Sequence, residues 1–240
     1  MEADSWDSRT RLLIGDAAAD RLAASTVVVA GLGGVGGYVA EMLARSGVGR
    51  LVLIDADVVS PSNINRQLIA DVNTIGQPKT ELWRQRLTAI NPTIRIDARQ
   101  EFITPENVPE PLAGRPDFVA DAIDTVAPKV SLMTGCVQAD IPFISSMGAG
   151  GRMDPAQVRY GTLDATVGDG LARTLRTRLR KLDIPLKSIP VVWSAETPER
   201  RAVIDLDEPN KRSSFGTLAS IPALFGIYMA NYIIRKITGI

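Results

Sequence analysis

The chain has 240 residues, 45% of them apolar and 22% charged, the balance of a globular protein built as one large domain or two small ones. Twenty-seven basic residues match twenty-seven acidic ones, so no global field draws it onto nucleic acid, and a lone cysteine, Cys136, rules out an internal disulfide. Histidine is absent, which excludes a histidine base, a Ser-His or Cys-His couple and any histidine metal ligand; paired CxxC zinc sites are excluded with them.

The first 25 residues carry Asp4, Asp7, Asp16 and Asp20 and lack a basic start and an apolar core, so no secretory signal is expected. Asp16 to Ala24 reads as a short helix and Thr26 to Ala30, apolar and β-branched, as a buried strand. Gly31-Leu-Gly-Gly-Val-Gly36 closes that strand. Tyr38 to Ser46 then sets Val39, Met42 and Leu43 at helical spacing, and Arg50 to Asp55 is a second buried strand. Together they form one right-handed βαβ unit. Lys79 to Asn91 reads as an amphipathic helix, Ile94 to Ala98 as a strand, Phe118 to Asp124 as a strand, Pro128 to Ala139 as a helix and Pro142 to Ser146 as a strand. Such alternation predicts an α/β fold of Rossmann type: a doubly wound, mainly parallel sheet with helices on both faces.

Beyond Gly148-Ala-Gly-Gly151 the texture changes. Gln157 to Leu163 and Val191 to Ser194 read as strands around a basic helix at Leu171 to Leu182, while Pro198 to Ser214 is polar with weak periodicity and reads as a mobile loop. Phe215 to Ile237 is the segment most like a membrane span, but Gly216, Ser220, Pro222, Asn231 and Arg235 interrupt it, and a buried or dimer-facing helix is expected. The expected organisation is an α/β core with an N-terminal arm over residues 1–150 and an appended α/β part over 151–240 of the same domain. A cytoplasmic protein is expected, with peripheral membrane contact through the closing apolar segment left open.

Gly31, Gly33 and Gly36 satisfy G-x-G-x-x-G between a strand and a helix, and Asp55 stands nineteen residues past Gly36 at the end of the next strand. Glycines let backbone N–H groups approach phosphate at the helix N-terminus, and Asp55 can accept from ribose hydroxyls. That fingerprint serves NAD as well as ATP. Asp57, Asn63, Asn65, Arg66, Gln67 and Lys79 gather beyond the second strand, where a triphosphate needs cations and a dinucleotide does not. Asp121-Ala-Ile-Asp124 ends another strand at the same sheet edge, where Asp124 can hold Mg²⁺ together with phosphate oxygens and water, or serve as a helix cap. Arg173, Arg176 and Arg180 recur at i, i+3 and i+7 beside Arg178 and Lys181, with Lys187, Lys211 and Arg212 further on: a positive stripe suited to phosphates, or a solvated helix face.

Arg9-Thr-Arg-Leu-Leu-Ile-Gly15 followed by GLGGVG, LVLIDADVV, SNINRQ, GQPK and DAIDT resembles the ubiquitin-activating-enzyme-like adenylyltransferases, the superfamily of ThiF and MoeB. Ile141 to Pro155, Leu171 to Leu179 and Val191 to Pro198 extend the likeness to the tRNA threonylcarbamoyladenosine dehydratase branch. The resemblance implies that ATP and Mg²⁺ bind and that a carboxylate is adenylated with loss of pyrophosphate. In that branch the carboxylate belongs to threonylcarbamoyladenosine at tRNA position 37, whose ring closes as AMP leaves. It implies Gly33 and Gly34 at the phosphates, Asp55 at the ribose, Arg66 and Lys79 on transition-state charge, Asn63 and Gln67 orienting it, and Asp124 on the metal. Arg9 matches an arginine that reaches a neighbouring subunit's ATP, so a homodimer is implied. Where the family carries an aromatic two positions before that arginine, this chain has Asp7, with Trp6 one place earlier. Without CxxC pairs or a second thiol the chain departs from zinc- and sulfur-handling relatives. Cys136, inside an apolar helix, reads as packed and inert. Three alternatives stay open: an adenylyltransferase for a Gly-Gly-ended carrier protein, an NAD-dependent oxidoreductase and a non-catalytic nucleotide sensor. A partner from a sulfur-transfer or desulfurase system is left open too, and neither DNA nor zinc is expected.

Overall fold

The structure, a computed structural model, describes residues 5–199, 202–208 and 211–240, with residues 204–208 and 211–214 described through their backbone alone. Helices α1 (Ser8–Ile14) and α2 (Asp16–Ala24) precede β1 (Thr26–Ala30). The chain continues through α3 (Gly36–Arg45), β2 (Arg50–Ile54), α4 (Lys79–Ile90) and β3 (Arg95–Arg99). Next come α5 (Pro109–Ala113), β4 (Phe118–Asp121), α6 (Val126–Gln138) and β5 (Phe143–Ser146). The remainder holds β6 (Val158–Thr162), α7 (Gly170–Arg180), β7 (Pro190–Ser194), β8 (Val203–Glu208), β9 (Lys211–Phe215) and α8 (Ser220–Thr238).

Seven strands form one sheet in the order β3-β2-β1-β4-β5-β7-β6, parallel throughout except at the edge, where β6 runs against β7. This is the doubly wound α/β fold expected from the alternation. The two-residue period of the strands divides the core: Val27, Val29, Leu51 and Leu53 face Leu43, Trp83, Phe225 and Met229 of α3, α4 and α8. Val28, Ala30, Val52 and Ile54 face the layer holding Leu112, Leu132, Met133 and Leu175 from α5, α6 and α7. Chain order reverses between β1 and β4, the crevice where such sheets receive nucleotides.

Two expectations are corrected, and the buried-helix reading of the closing segment holds. The strand read as Phe118 to Asp124 ends at Asp121, because the Ile123 N–H turns back onto Asp121 Oδ1 and closes a turn. The stretch from Pro198 to Ser214, read as an irregular loop, contains the antiparallel pair β8–β9, which pairs with itself rather than with the main sheet and so lacks the apolar alternation of a half-buried strand; within it residues 200–201 and 209–210 lie outside the described residues. The closing apolar segment folds into α8 and buries Ile221, Phe225, Met229 and Ile233 in the core, which accounts for its hydrophobicity without lipid. At Gly226 a Cβ would stand 2.4 Å from Val35 O, so α8 rests directly on α3. Among the described residues no helix is long and apolar enough to cross a membrane. Helices α1 and α5 were not foreseen: each is short, and neither has the periodicity of a longer amphipathic helix.

Candidate active site

The glycine turn is built by close backbone approach. Gly31 lies at φ +84° and donates its N–H to Ile54 O at 2.8 Å, and a Cβ there would meet Ala122 O at 2.8 Å. A Cβ at Gly36 would stand 1.7 Å from Gly31 O. These two glycines weld β1, α3 and the turn after β4 together. Gly33 differs: its nearest neighbour is Gln67 Nε2 at 3.7 Å, so the backbone beside it borders open space. Gly34 faces the Arg66 side chain and Pro222 of α8. No side chain caps the start of α3, and the Gly37 N–H bonds back to Gly33 O at 3.0 Å.

Asp55, at the end of β2, accepts from the Leu32 N–H at 2.6 Å and the Asp57 N–H at 2.8 Å. Burial holds its carboxyl above the ordinary aspartate range, opposed by the Lys79 charge. Lys79, at the start of α4, is itself buried, with Nζ 2.7 Å from Asp57 Oδ2 and 3.9 Å from Asp55 Oδ1. Its position is set by a bridge between Val58 and Pro78 and by its N–H on Asp57 O. Gly31, Gly33, Gly34, Gly36, Asp55, Asp57, Arg66, Gln67 and Lys79 are thus brought to one strand-end crevice. Two neighbours serve the loop itself: Asn63 accepts the Ser60 N–H on Oδ1, and Asn65 donates to Thr217 O at 3.0 Å, tying the loop to the segment before α8. Arg66 donates to Ser62 O and to Asn65 Oδ1.

Whether a nucleotide and its metal fit can be judged from these groups. Gln67 is 6% exposed and, among the described residues, its Oε1 has no hydrogen-bond partner. Gln67 Nε2 lies beside the open face of Gly33, and the unsatisfied Oε1, an acceptor, is what a hydrogen-bond donor of a bound group would complete. No cluster of three acidic, cysteine or histidine residues able to hold a metal unaided occurs among the described residues. Mg²⁺ can bind through one or two carboxylates and take its other ligands from phosphate and water, and Asp124 is exposed at the turn after β4.

Beneath that turn is a group the sequence reading missed. Lys129 of α6 is fully buried, with Nζ 2.9 Å from the equally buried Asp121 Oδ2. A second buried pair, Arg152 and Asp169 at 3.0 Å, joins the glycine loop after β5 to the N-cap of α7; Asp169 also accepts from the Gly148 and Ala172 N–H groups. The one available signal for Lys129 was a cation inside an otherwise apolar helix.

Other expected residues lie apart. Arg9 is exposed on α1 and, among the described residues, no hydrogen bond joins it to this crevice. Arg11, rather than Arg9, fastens the arm: it pairs with Asp7, Asp16 and Asp20 and so clamps α1 to α2, with Leu12 and Leu13 left exposed. On α7, Arg173, Arg180 and Lys181 face solvent, whereas Arg176 turns its guanidinium onto Thr166 and Leu163 O. The side chains of Lys211 and Arg212 lie outside the described residues. Cys136 is buried, and burial pushes its thiol up to about 12, so it is protonated at neutral pH. Iodoacetamide at about pH 7.5 is expected to leave the native protein unlabelled, and Cys136→Ala to retain full turnover; rapid labelling of folded protein would contradict that burial.

A family model, that of the ThiF family, matches residues 8–240. This chain belongs to the ThiF family. As a ThiF-family protein it is 39% identical over 238 residues to tRNA threonylcarbamoyladenosine dehydratase of Bacillus subtilis, covering 96% of this chain and 93% of that one. The crystal structure of the Escherichia coli tRNA N6-threonylcarbamoyladenosine dehydratase in complex with ATP superposes with a TM-score of 0.88 at 33% identity, covering 97% of this chain and 93% of the other. The sulfur carrier protein ThiS adenylyltransferase of Escherichia coli is 38% identical over 148 residues, 60% of this chain and 59% of its own.

Proposed function

We propose that this protein is an ATP-dependent tRNA threonylcarbamoyladenosine dehydratase. The observation that carries the reading is the extent of the likeness: the dehydratases align from end to end, through α7 and β7, whereas the carrier-protein adenylyltransferase aligns over 60% of the chain. The chemistry suits a protein with no histidine and one inert thiol. The threonyl carboxylate attacks the α-phosphorus of ATP, forming an O–P bond as pyrophosphate departs. The substrate's own carbamoyl group then attacks the activated carbonyl and AMP leaves with the carboxylate oxygen, so one water is lost overall and no protein nucleophile is needed.

In this reading Gly33, Gly34 and Gln67 border the phosphates and Asp55 accepts from the ribose. Lys79 and Arg66 stabilise phosphate charge as it builds. Asp124 would hold Mg²⁺, which supplies charge neutralisation when bound. The exposed Arg9, Leu12 and Leu13 suit a homodimer in which the partner subunit's Arg9 reaches this ATP, and Arg173, Arg180 and Lys181 suit tRNA phosphates.

The test is incubation with ATP, Mg²⁺ and tRNA bearing threonylcarbamoyladenosine, following AMP, pyrophosphate and the nucleoside mass. One water lost per AMP formed is expected. No turnover on that tRNA, with carrier-dependent ATP–pyrophosphate exchange instead, would assign the protein to carrier activation.

A further inference from the structure

A lysine with no accessible surface needs a reason, because removing an ammonium from water is costly unless its partners are fixed around it. Lys129 has such partners. Besides the Asp121 carboxylate, its Nζ donates to Asp121 O at 3.3 Å and to Ile123 O at 2.9 Å. One ammonium therefore grips both ends of the turn that follows β4. The Asp121 carboxylate is consumed on the same turn: Oδ2 also accepts from the Ser145 hydroxyl at 2.7 Å, and Oδ1 from the Ile123 N–H. Burial pushes the proton affinity of Lys129 down, and the charges of Asp121, Asp124 and Asp169 oppose it, so Asp124 and Asp169 stand within electrostatic reach of the ammonium.

The turn so held carries two things the nucleotide crevice depends on. Ala122 O is the atom against which Gly31 packs, and the Ala122 N–H bonds to Ala30 O, so the turn forms one wall of the crevice. Asp124, the outward carboxylate, follows immediately. The two acids of the strand end are thereby divided: Asp121 is spent inward on Lys129, and Asp124 is presented outward.

We propose that Lys129 is a positioning residue for adenylation, fixing the 121–124 turn so that Asp124 meets the metal and phosphates of ATP. This rests on the adenylation reading above. Four forms decide it: wild type, Lys129→Arg, Lys129→Met, and Lys129→Met combined with Asp121→Asn, which removes the buried charge that the single variant strands. ATP affinity is measured by calorimetry with and without Mg²⁺, alongside thermal midpoint and turnover. In Lys129→Met the midpoint falls, and the double variant regains most of it. The gain in ATP affinity conferred by Mg²⁺ shrinks about tenfold in both, with turnover, as when a metal ligand loses its support. Metal-free ATP affinity stays within about threefold, since Gly31 keeps its N–H bond to Ile54 O and Asp55 its two backbone donors. Lys129→Arg retains part of the Mg²⁺ gain by keeping the charge. Equal Mg²⁺ gains in wild type and the double variant overturn the proposal, as does recovery of turnover together with stability. Because the binding measurement uses no tRNA, a wild type that binds ATP but ignores the modified tRNA defeats the substrate assignment and leaves this result standing.

Discussion

Gly36→Ala is expected to give no folded protein, while Gly33→Ala folds like the parent and loses its activity. The two glycines share one motif and look equivalent on the page. At Gly36 the added Cβ would lie 1.7 Å from Gly31 O, and the carbonyl cannot retreat because Gly31 is itself pressed against Ala122 O. Moving either atom pulls α3 from β1, so the cost exceeds about 4 kcal/mol, the range of severe packing lesions. At Gly33 the nearest atom is Gln67 Nε2 at 3.7 Å, an ordinary contact, so stability changes by about 1 kcal/mol or less. The methyl group instead occupies the face that a phosphate would approach, and ATP affinity falls about a hundredfold or more, the scale on which lost charge-stabilising contacts register. Urea unfolding followed by circular dichroism and calorimetric ATP titration separate the cases. Full ATP affinity in Gly33→Ala would show that the phosphates do not lie over this turn.

That contrast marks where sequence reading succeeds. The β1-turn-α3-β2 unit was legible because local signals agree: a β-branched run, three spaced glycines, helical spacing of Val39 and Leu43, and Asp55 closing the next strand. Asp55 stands where it does for the same reason, since parallel strands in register deliver their ends to one sheet edge, and the connection from β2 to α4 folds Asp57, Gln67 and Lys79 back to it. What each glycine touches was not legible, because Ala122 O and Pro222 approach from far along the chain. Buried charge was hidden likewise. Lys129 sits eight residues past Asp121 and Asp169 seventeen past Arg152, and beyond the apolar helix around Lys129 nothing local distinguishes these from solvated charges until α6 and α7 pack on the sheet. Arg176 and Asn63 also belong to suggestive patterns, and local contacts that no pattern shows engage part of each: Arg176 donates to Thr166 O, and Asn63 Oδ1 accepts the Ser60 N–H.

Lys79→Met is expected to lower turnover about 10²–10³-fold, the loss typical when a group that stabilises transition-state charge is removed. The structure adds a stability cost that a solvated lysine would not carry. Lys79 is buried between Asp55 and Asp57, and Met leaves those carboxylates facing one another without an ammonium. Asp57 is 59% exposed and Asp55 keeps its two backbone N–H donors, so the penalty is about 1–3 kcal/mol, that of a poorly satisfied buried group, rather than the larger loss of a sealed ion pair. Its pH dependence has a definite sign. Burial already raises the folded Asp55 pKa and Lys79 opposes the rise, so the substitution raises it further. A folded state that binds a proton more tightly than the unfolded state loses stability as pH increases through that interval. The deficit against wild type is therefore larger at about pH 8 than at about pH 4.5, where protonation of Asp55 relieves it. Asp57→Asn in the Lys79→Met background removes the repulsion and restores stability without restoring turnover, because no cation returns to the phosphates. Because Met retains the packed methylenes, a deficit independent of pH would show that it does not arise from the charge on Asp55 and would overturn this assignment.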